Sequence, residues 1–288
     1  MSTSIRMGAL AALLFVAACG DARGGADPVA VRDSAGIRIV ASEAPAWAEG
    51  EGWRLSAEPV LVAVGHSFGP GAVADGVRRD SIDYLRYSAD GVLLDTLAVL
   101  ASGESFVKTG FGAFGFTTAP LLFGKNAVHG QVGDRVVVGS NHAYELAVYS
   151  PEGTLERLIR REQDPRPVTG RDFEAAVAAS LDGMDAEWRD RMEAVYEAMP
   201  RPATMPFYSA LLVDDGENLW VKDFEVPPDR ASTWTVFDPR GRMLGGVAVP
   251  DRFRPTHIGA DFVLGVWQDE LDVQYVQMFA LEKGGRRR

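Results

Sequence analysis

The chain has 288 residues, 47% of them hydrophobic and 24% charged, with a formal net charge of −11. That length supports a core of normal size without cross-links, and the acidity repels phosphate backbones, so nucleic acid is not an expected partner. Cys19 is the single cysteine, which leaves the folded part without a disulfide or a thiolate metal site.

Arg6 supplies a positive charge, residues 7–16 form an uncharged apolar run, and Val16-Ala17-Ala18 places small residues directly before Cys19. The run is too short to span a bilayer and reads as a secretion signal. The order Val16-Ala17-Ala18-Cys19-Gly20 resembles the bacterial lipobox, with Val16 where Leu is usual. Residues 1–18 are therefore expected to be a lipoprotein signal peptide, and Cys19 the site of lipid attachment. More than one acyl chain would hold the protein at a membrane, whereas a single chain binds only marginally. The plainer alternative is an ordinary cleaved signal with an incidental cysteine. Residues 19–30 are small, polar and Gly-rich, and read as a flexible tether. Strand character begins within residues 29–40, where Ile37 and Ile39 alternate with Arg38.

A strand–turn–strand pattern then recurs. Tyr84-Leu85-Arg86-Tyr87 leads through Ser88-Ala89-Asp90-Gly91 into Val92-Leu93-Leu94. Leu146-Ala147-Val148-Tyr149 leads through Ser150-Pro151-Glu152-Gly153 into Thr154-Leu155. Trp234-Thr235-Val236-Phe237 leads through Asp238-Pro239-Arg240-Gly241 into Arg242-Met243-Leu244. Each turn opens with Ser or Asp, whose side chain bonds the turning backbone, and closes with Gly, which accepts the exit geometry. Matching strands precede the second and third copies at Arg135-Val136-Val137-Val138 and Asn218-Leu219-Trp220-Val221. A fourth unit without the turn formula covers residues 261–266 and 274–279. Regular short strands with turn signals predict an all-β repeat fold; a β-sandwich of unrelated hairpins is the alternative.

The third copy lies farther from the second than the second from the first, and residues 169–200 supply the difference. Phe173, Val177 and Leu181 recur every four residues, and Asp182-Gly183 ends that helix with a left-handed glycine. Asp185 is suited to cap a second helix, whose apolar face is Trp188, Met192, Val195, Tyr196 and Met199 and which Pro200 stops. This predicts an α-helical hairpin inserted between two β units.

The segments Arg32-Asp33-Ser34-Ala35-Gly36-Ile37-Arg38-Ile39-Val40, Pro45-Ala46-Trp47, Glu58-Pro59 and Tyr149-Ser150-Pro151-Glu152-Gly153 resemble a family of bacterial lipoproteins built as six-bladed β-propellers. Val213-Asp214-Asp215-Gly216-Glu217-Asn218-Leu219-Trp220-Val221 is similar to NHL-type blades. The resemblance covers most of the chain after Cys19. It implies an all-β fold of β-propeller-like repeats of short antiparallel strands, within residues 31–283, and no particular activity. At roughly 40–45 residues per blade this chain is short for six, and the additional early blades of the family would fall at residues 65–76. Residues 37–40 are the expected closing strand, paired with the last blade. Residues 284–288 are expected to form a basic tail.

Several residues could carry chemistry. Gly65-His66-Ser67-Phe68-Gly69 matches the G-x-S-x-G of α/β-hydrolases. Its surroundings lack a following helix and a preceding central sheet, so Ser67 is expected in a Gly-rich turn rather than as a nucleophile. His66, His129, His142 and His257 have no zinc-like spacing, although His129 and His142 could converge. Asp214-Asp215-Gly216-Glu217-Asn218 offers oxygens to calcium but lacks the spaced acidic ladder, and reads as a hairpin turn. Asp269-Glu270-Leu271-Asp272 reads as a similar polar turn. Trp220, Trp234, Phe237, Phe262 and Trp267 are expected to pack between sheets. The stripe Trp188-Met192-Tyr196-Met199 either packs onto the β domain or forms a docking face for another protein.

No catalytic, cofactor or metal residues are predicted. The expectation is a membrane-tethered, extracytoplasmic binding or scaffold protein, with residues 169–200 as the expected contact for a protein partner. The alternative is a hydrolase or lyase at the propeller mouth, which requires a His or carboxylate cluster that the sequence does not display.

Overall fold

The computed structural model describes residues 39–41, 60–66, 74–88, 91–110, 115–226 and 232–282. The signal segment 1–18, Cys19, the tether 19–30, Ser67 and the tail 284–288 lie outside the described residues.

The described chain forms four sheets in sequence order. The first holds β1 (Ile39–Ala41), β2 (Val60–His66), β3 (Gly76–Tyr87), β4 (Leu93–Thr109) and β5 (Phe116–Pro120). The second holds β6 (Ala127–Val132), β7 (Arg135–Ser140), β8 (Glu145–Tyr149) and β9 (Leu155–Arg160). Two helices follow, α1 (Gly170–Leu181) and α2 (Ala186–Ala198). The third sheet holds β10 (Tyr208–Val213), β11 (Leu219–Asp223), β12 (Ser232–Phe237) and β13 (Met243–Val249). The fourth holds β14 (Phe253–Ile258), β15 (Phe262–Gln268) and β16 (Gln274–Ala280). The fold is thus all-β, antiparallel within each sheet, with an inserted helical hairpin. The exception is β1, which runs parallel to β2 with Ile39 opposite Leu61. Ile39 and Val40, the described part of the segment expected to close onto the last unit, therefore pair within the first sheet instead.

Apolar runs in the second strand of a sheet are explained by what covers them. Val136, Val137 and Val138 are all buried. Val137 joins the core shared with the third sheet, beside Leu146, Tyr208, Leu219 and Val221. Val136 and Val138 turn the other way, onto Tyr84, Leu97 and Leu100 of the first sheet. In β11, Leu219 and Val221 face the second sheet, while Trp220 faces Phe253, Ile258 and Val263 of the fourth. A strand covered on both faces loses the alternation of a half-exposed strand and reads as continuously apolar. The sheets therefore stack face against face, first to second to third to fourth.

The expected turns recur with one geometry. Gly91, Gly153 and Gly241 have φ of 79°, 87° and 80°. Their N–H groups donate to the carbonyls of Ser88, Ser150 and Asp238 at 3.0, 3.0 and 2.8 Å. The turns at Asp214 and Asp269 close in the same way, with Glu217 (φ 59°) and Asp272 (φ 61°) in the glycine position.

The hairpin forms as its caps dictate. Thr169 and Asp172 make a reciprocal capping box on α1, Gly183 has φ 72°, and Asp185 Oδ1 accepts from Trp188 N at 2.9 Å. Leu181, Met192, Val195, Tyr196 and Met199 are buried against Phe106, Ala119 and Leu121 of the first sheet and its following turn. Trp188 is 44% exposed. Three of the four residues in the proposed docking stripe are thus consumed by packing within the chain.

Candidate functional site

Each junction between neighbouring sheets has two ends, one where the first strands begin and one where they finish. At the beginning end, the first and second sheets are tied by Glu104 of β4. Its N–H donates to Lys125 O at 2.9 Å, and its Oε2 accepts from Lys125 N at 2.7 Å. The second and third sheets are tied there by Asn141, which is 4% exposed. Asn141 Nδ2 donates to Tyr208 O at 2.9 Å, its carbonyl accepts from Phe207 N at 2.9 Å, and its Oδ1 accepts from Asn126 N at 2.7 Å. Tyr208 then reaches back to donate to Glu145 O at 3.1 Å. Gly139 makes room for it, since a Cβ there would lie 2.3 Å from Tyr208 Oη.

Phe224 occupies the place of Asn141 in the third sheet, because its N–H donates to Phe207 O as that of Asn141 donates to Asn126 O. Phenylalanine has no amide to extend to the next sheet. Its ring turns instead to Phe123, with centroids 6.0 Å apart, and packs in the core around Val168, Ala176 and Met205 beside the hairpin. Among the described residues no hydrogen bond joins the third and fourth sheets at this end. They are joined at the other end, where Asp215 N donates to Ile258 O at 2.9 Å. At the finishing end the first three sheets also share a second type of link. The carbonyls of Pro151 and Pro239 each accept from an arginine of the preceding sheet, Arg86 and Arg157. The fourth sheet has three strands among the described residues, and its turn at Asp269 joins β15 to β16 at the beginning end, so it takes no part in such a link.

The untied end holds a cleft of about 460 Å³. Leu212, Phe253, Pro255 and Val266 give it apolar walls, and Lys222, Glu225, Ser232, Trp234, Arg252 and Arg254 give it polar ones. The volume lies within the range of small-molecule sites. Three polar atoms in these walls, Glu225 Oε1, Ser232 Oγ and Trp234 Nε1, are buried without a hydrogen-bond partner. Ser232 is 5% and Trp234 3% exposed. A buried group left unpaired costs about 1–3 kcal/mol, so three in one wall mark a surface that is incomplete by itself. On the other face of the third sheet, toward the second, Thr235 Oγ1 links Asp223 and Arg161 at 3.2 Å each. Burial raises the Asp223 carboxyl above its ordinary value, against the opposing effects of Thr235 and Arg161.

The residues singled out from sequence fall elsewhere. His129 Nδ1 lies 3.2 Å from the fully buried Tyr84 hydroxyl, and burial lowers the imidazole pKa. Burial likewise pushes Tyr84 up to about 12. His142 instead meets Ser140 Oγ at 3.0 Å, so the two histidines serve different partners. The Ser140–His142 contact was not foreseen. Ser140 also accepts from Arg79 at 3.3 Å, and no described carboxylate orients the imidazole, so the pair lacks the third group of a nucleophilic site. His257 lies 3.5 Å from Asp215 at the surface.

Asp214 is 5% exposed, and its carboxylate is filled by donors. Oδ1 accepts from Gly216 N, Asn218 N and Asn218 Nδ2, and Oδ2 accepts from Asn218 Nδ2 and Trp220 Nε1. That is the organisation of a turn, with its lone pairs already used. Trp220, Trp234 and Phe237 pack between sheets, while Phe262 and Trp267 are half-buried. Among the described residues no three His, Cys, Asp or Glu side chains gather to hold an ion. No described helix is long and apolar enough to cross a membrane.

No protein-family model matches the chain, and no curated protein matches it in sequence. Among solved structures it is similar to a member of the DUF4221 family from Bacteroides vulgatus. That match has 8% identity, covers 78% of this chain and 99% of the other, and has a TM-score of 0.18. A likeness at that level carries no argument about fold or function.

Proposed function

We propose that the protein is a lipid-anchored extracytoplasmic binding protein, built as a reduced β-propeller, that receives a small ligand between its third and fourth sheets. The observation that carries the binding reading is the cleft whose wall holds the unpartnered Glu225 Oε1, Ser232 Oγ and Trp234 Nε1 atoms, at a junction end that no hydrogen bond ties among the described residues. The lipid anchor rests on the Val16-Ala17-Ala18-Cys19 order. The propeller reading is supported by the face-to-face succession of up-and-down sheets, with β10 lying beside both β6 and β14. A protein partner of residues 169–200 would meet their outward side, where Trp188 is exposed.

A ligand that binds only the folded state raises its melting temperature. The test compares the wild type with Leu212→Trp, which fills the cleft from a half-buried wall position. The small-molecule fraction of an envelope extract should raise Tm of the wild type and leave the variant unmoved. Equal shifts in both proteins would refute binding at this cleft.

A further inference from the structure

We infer that the cleft selects a small organic acid with an apolar body and one hydrogen-bond donor, a hydroxyl or an amine, near its carboxylate. This rests on the binding reading above and adds the class of ligand.

The first argument is charge. The lining residues include three cations, Lys222, Arg252 and Arg254, and one anion, Glu225. Lys222 pairs with Glu225 through Oε2 at 3.1 Å, which balances those two charges and leaves Oε1 without a partner. Arg252 and Arg254 remain, and neither has an ion-pair partner among the described residues. Two arginines among the lining residues of one cleft, neither in an ion pair among the described residues although Arg252 acts on Asp269 from farther away, are a local reversal that favours an anion in a chain of net charge −11. The planar fork of arginine matches a carboxylate in particular.

The second argument is the unpaired atoms. Trp234 Nε1 can only donate, and Ser232 Oγ can donate, so both suit a carboxylate oxygen. Glu225 Oε1 can only accept as a carboxylate, so it asks the ligand for a donor. An acid without a second polar group would leave it unpaired. These atoms belong to residues that line the cleft, at an end where no tie like that of Asn141 joins the two sheets among the described residues. The third argument is the apolar wall of Leu212, Phe253, Pro255 and Val266. It disfavours inorganic phosphate and free polyols, which offer nothing to bury there.

The test uses the full-length lipidated protein in nanodiscs with ¹⁵N-labelled indoles, and the Trp234 N–H resonance assigned by its loss in Trp234→Phe. Four probes of one carbon skeleton are titrated: 2-hydroxyisocaproate, leucine, isocaproate and isohexanol. The expected result is a saturable shift of the Trp234 resonance with 2-hydroxyisocaproate or leucine, the stronger of the two identifying the donor. Isocaproate should bind about tenfold more weakly, and isohexanol should give no saturable shift. Arg252→Gln with Arg254→Gln should weaken the best acid by about tenfold or more. The double variant must keep the wild-type spectrum elsewhere; if it does not, Arg254→Gln alone, at an exposed position, serves the same comparison. If the alcohol binds as well as the acids, the anion class is overturned while the cleft reading stands. If none of the four gives a saturable shift, the ligand class and the cleft reading both fall.

Discussion

Replacing Asn141 with alanine removes two side-chain hydrogen bonds, one that ties the second sheet to the third and one that holds Asn141 within the second sheet. Tyr208 O loses its donor at 2.9 Å in a fully buried setting, which costs about 1–3 kcal/mol. Asn126 N loses its acceptor at 2.7 Å, but Asn126 lies at the surface and water can replace the bond, so this costs about 0.5–1.5 kcal/mol. The expected total is about 3 kcal/mol, a large part of the roughly 5–15 kcal/mol that holds a typical domain. Asn141→Asp keeps the acceptor for Asn126 but turns a carboxylate on the Tyr208 carbonyl. It should cost at least as much at neutral pH and recover in acid. Urea unfolding followed by circular dichroism gives the comparison, provided the slope with denaturant stays constant. A loss below about 0.5 kcal/mol for Asn141→Ala, the level of an ordinary surface change, would refute the idea that this side chain holds the junction shut.

Three further outcomes follow from the same geometry. Met192→Ala, inside the hairpin's buried face, should cost about 3 kcal/mol, while Trp188→Ala should change stability by no more than about 0.5 kcal/mol; equal effects in thermal unfolding would contradict the docked hairpin. Asp214→Ala strips five hydrogen bonds from the β10–β11 turn and should cost about 2–4 kcal/mol. Millimolar calcium should leave the wild-type Tm unchanged, and a rise with calcium would restore the metal reading of that turn. Asp223 has a carboxyl pKa raised by burial, so its folded state favours the proton. Its stabilising contribution is present below the ordinary value of 3.8 and is lost as pH rises through the raised value. Asp223→Asn should therefore be more stable than the wild type at neutral pH, with the gain vanishing in acid; a urea midpoint lower than wild type at neutral pH would show that Arg161 and Thr235 outweigh burial.

What the sequence revealed, and what it hid, divide along the range of the interactions. The turns at Ser88, Ser150 and Asp238 and the helix caps at Thr169 and Asp185 are local, because a side chain bonds backbone two to four residues away. Composition alone therefore exposes them. β14 was hidden because Pro255 interrupts a strand pattern, and the structure accommodates it at an irregularity between Pro255 and His257. β4, which runs from Leu93 to Thr109, was legible only at its start, since its later residues mix Ser, Gly, Glu and Lys among the apolar ones. The hairpin's periodicity marks an apolar face but cannot say what covers it; Phe106 and Leu121, distant in sequence, do so. The cleft was the least accessible feature. Ser140-Asn141-His142 and Asp223-Phe224-Glu225 read alike as strand ends. Only the pairing of Asn141 with Tyr208, and the diversion of Phe224 toward Phe123, shows that one junction is tied and the other is not.

The central claim is that the untied junction between the third and fourth sheets binds a small molecule, and ligand retention tests it most directly. The full-length protein is incubated with an envelope extract and desalted, and whatever remains bound is identified by mass spectrometry, beside Leu212→Trp and Asn141→Ala treated in the same way. The account predicts an organic acid retained by the wild type, lost in Leu212→Trp, and kept in Asn141→Ala under conditions where that variant is folded. A molecule retained equally by Leu212→Trp, or no molecule retained by any of the three, would contradict it.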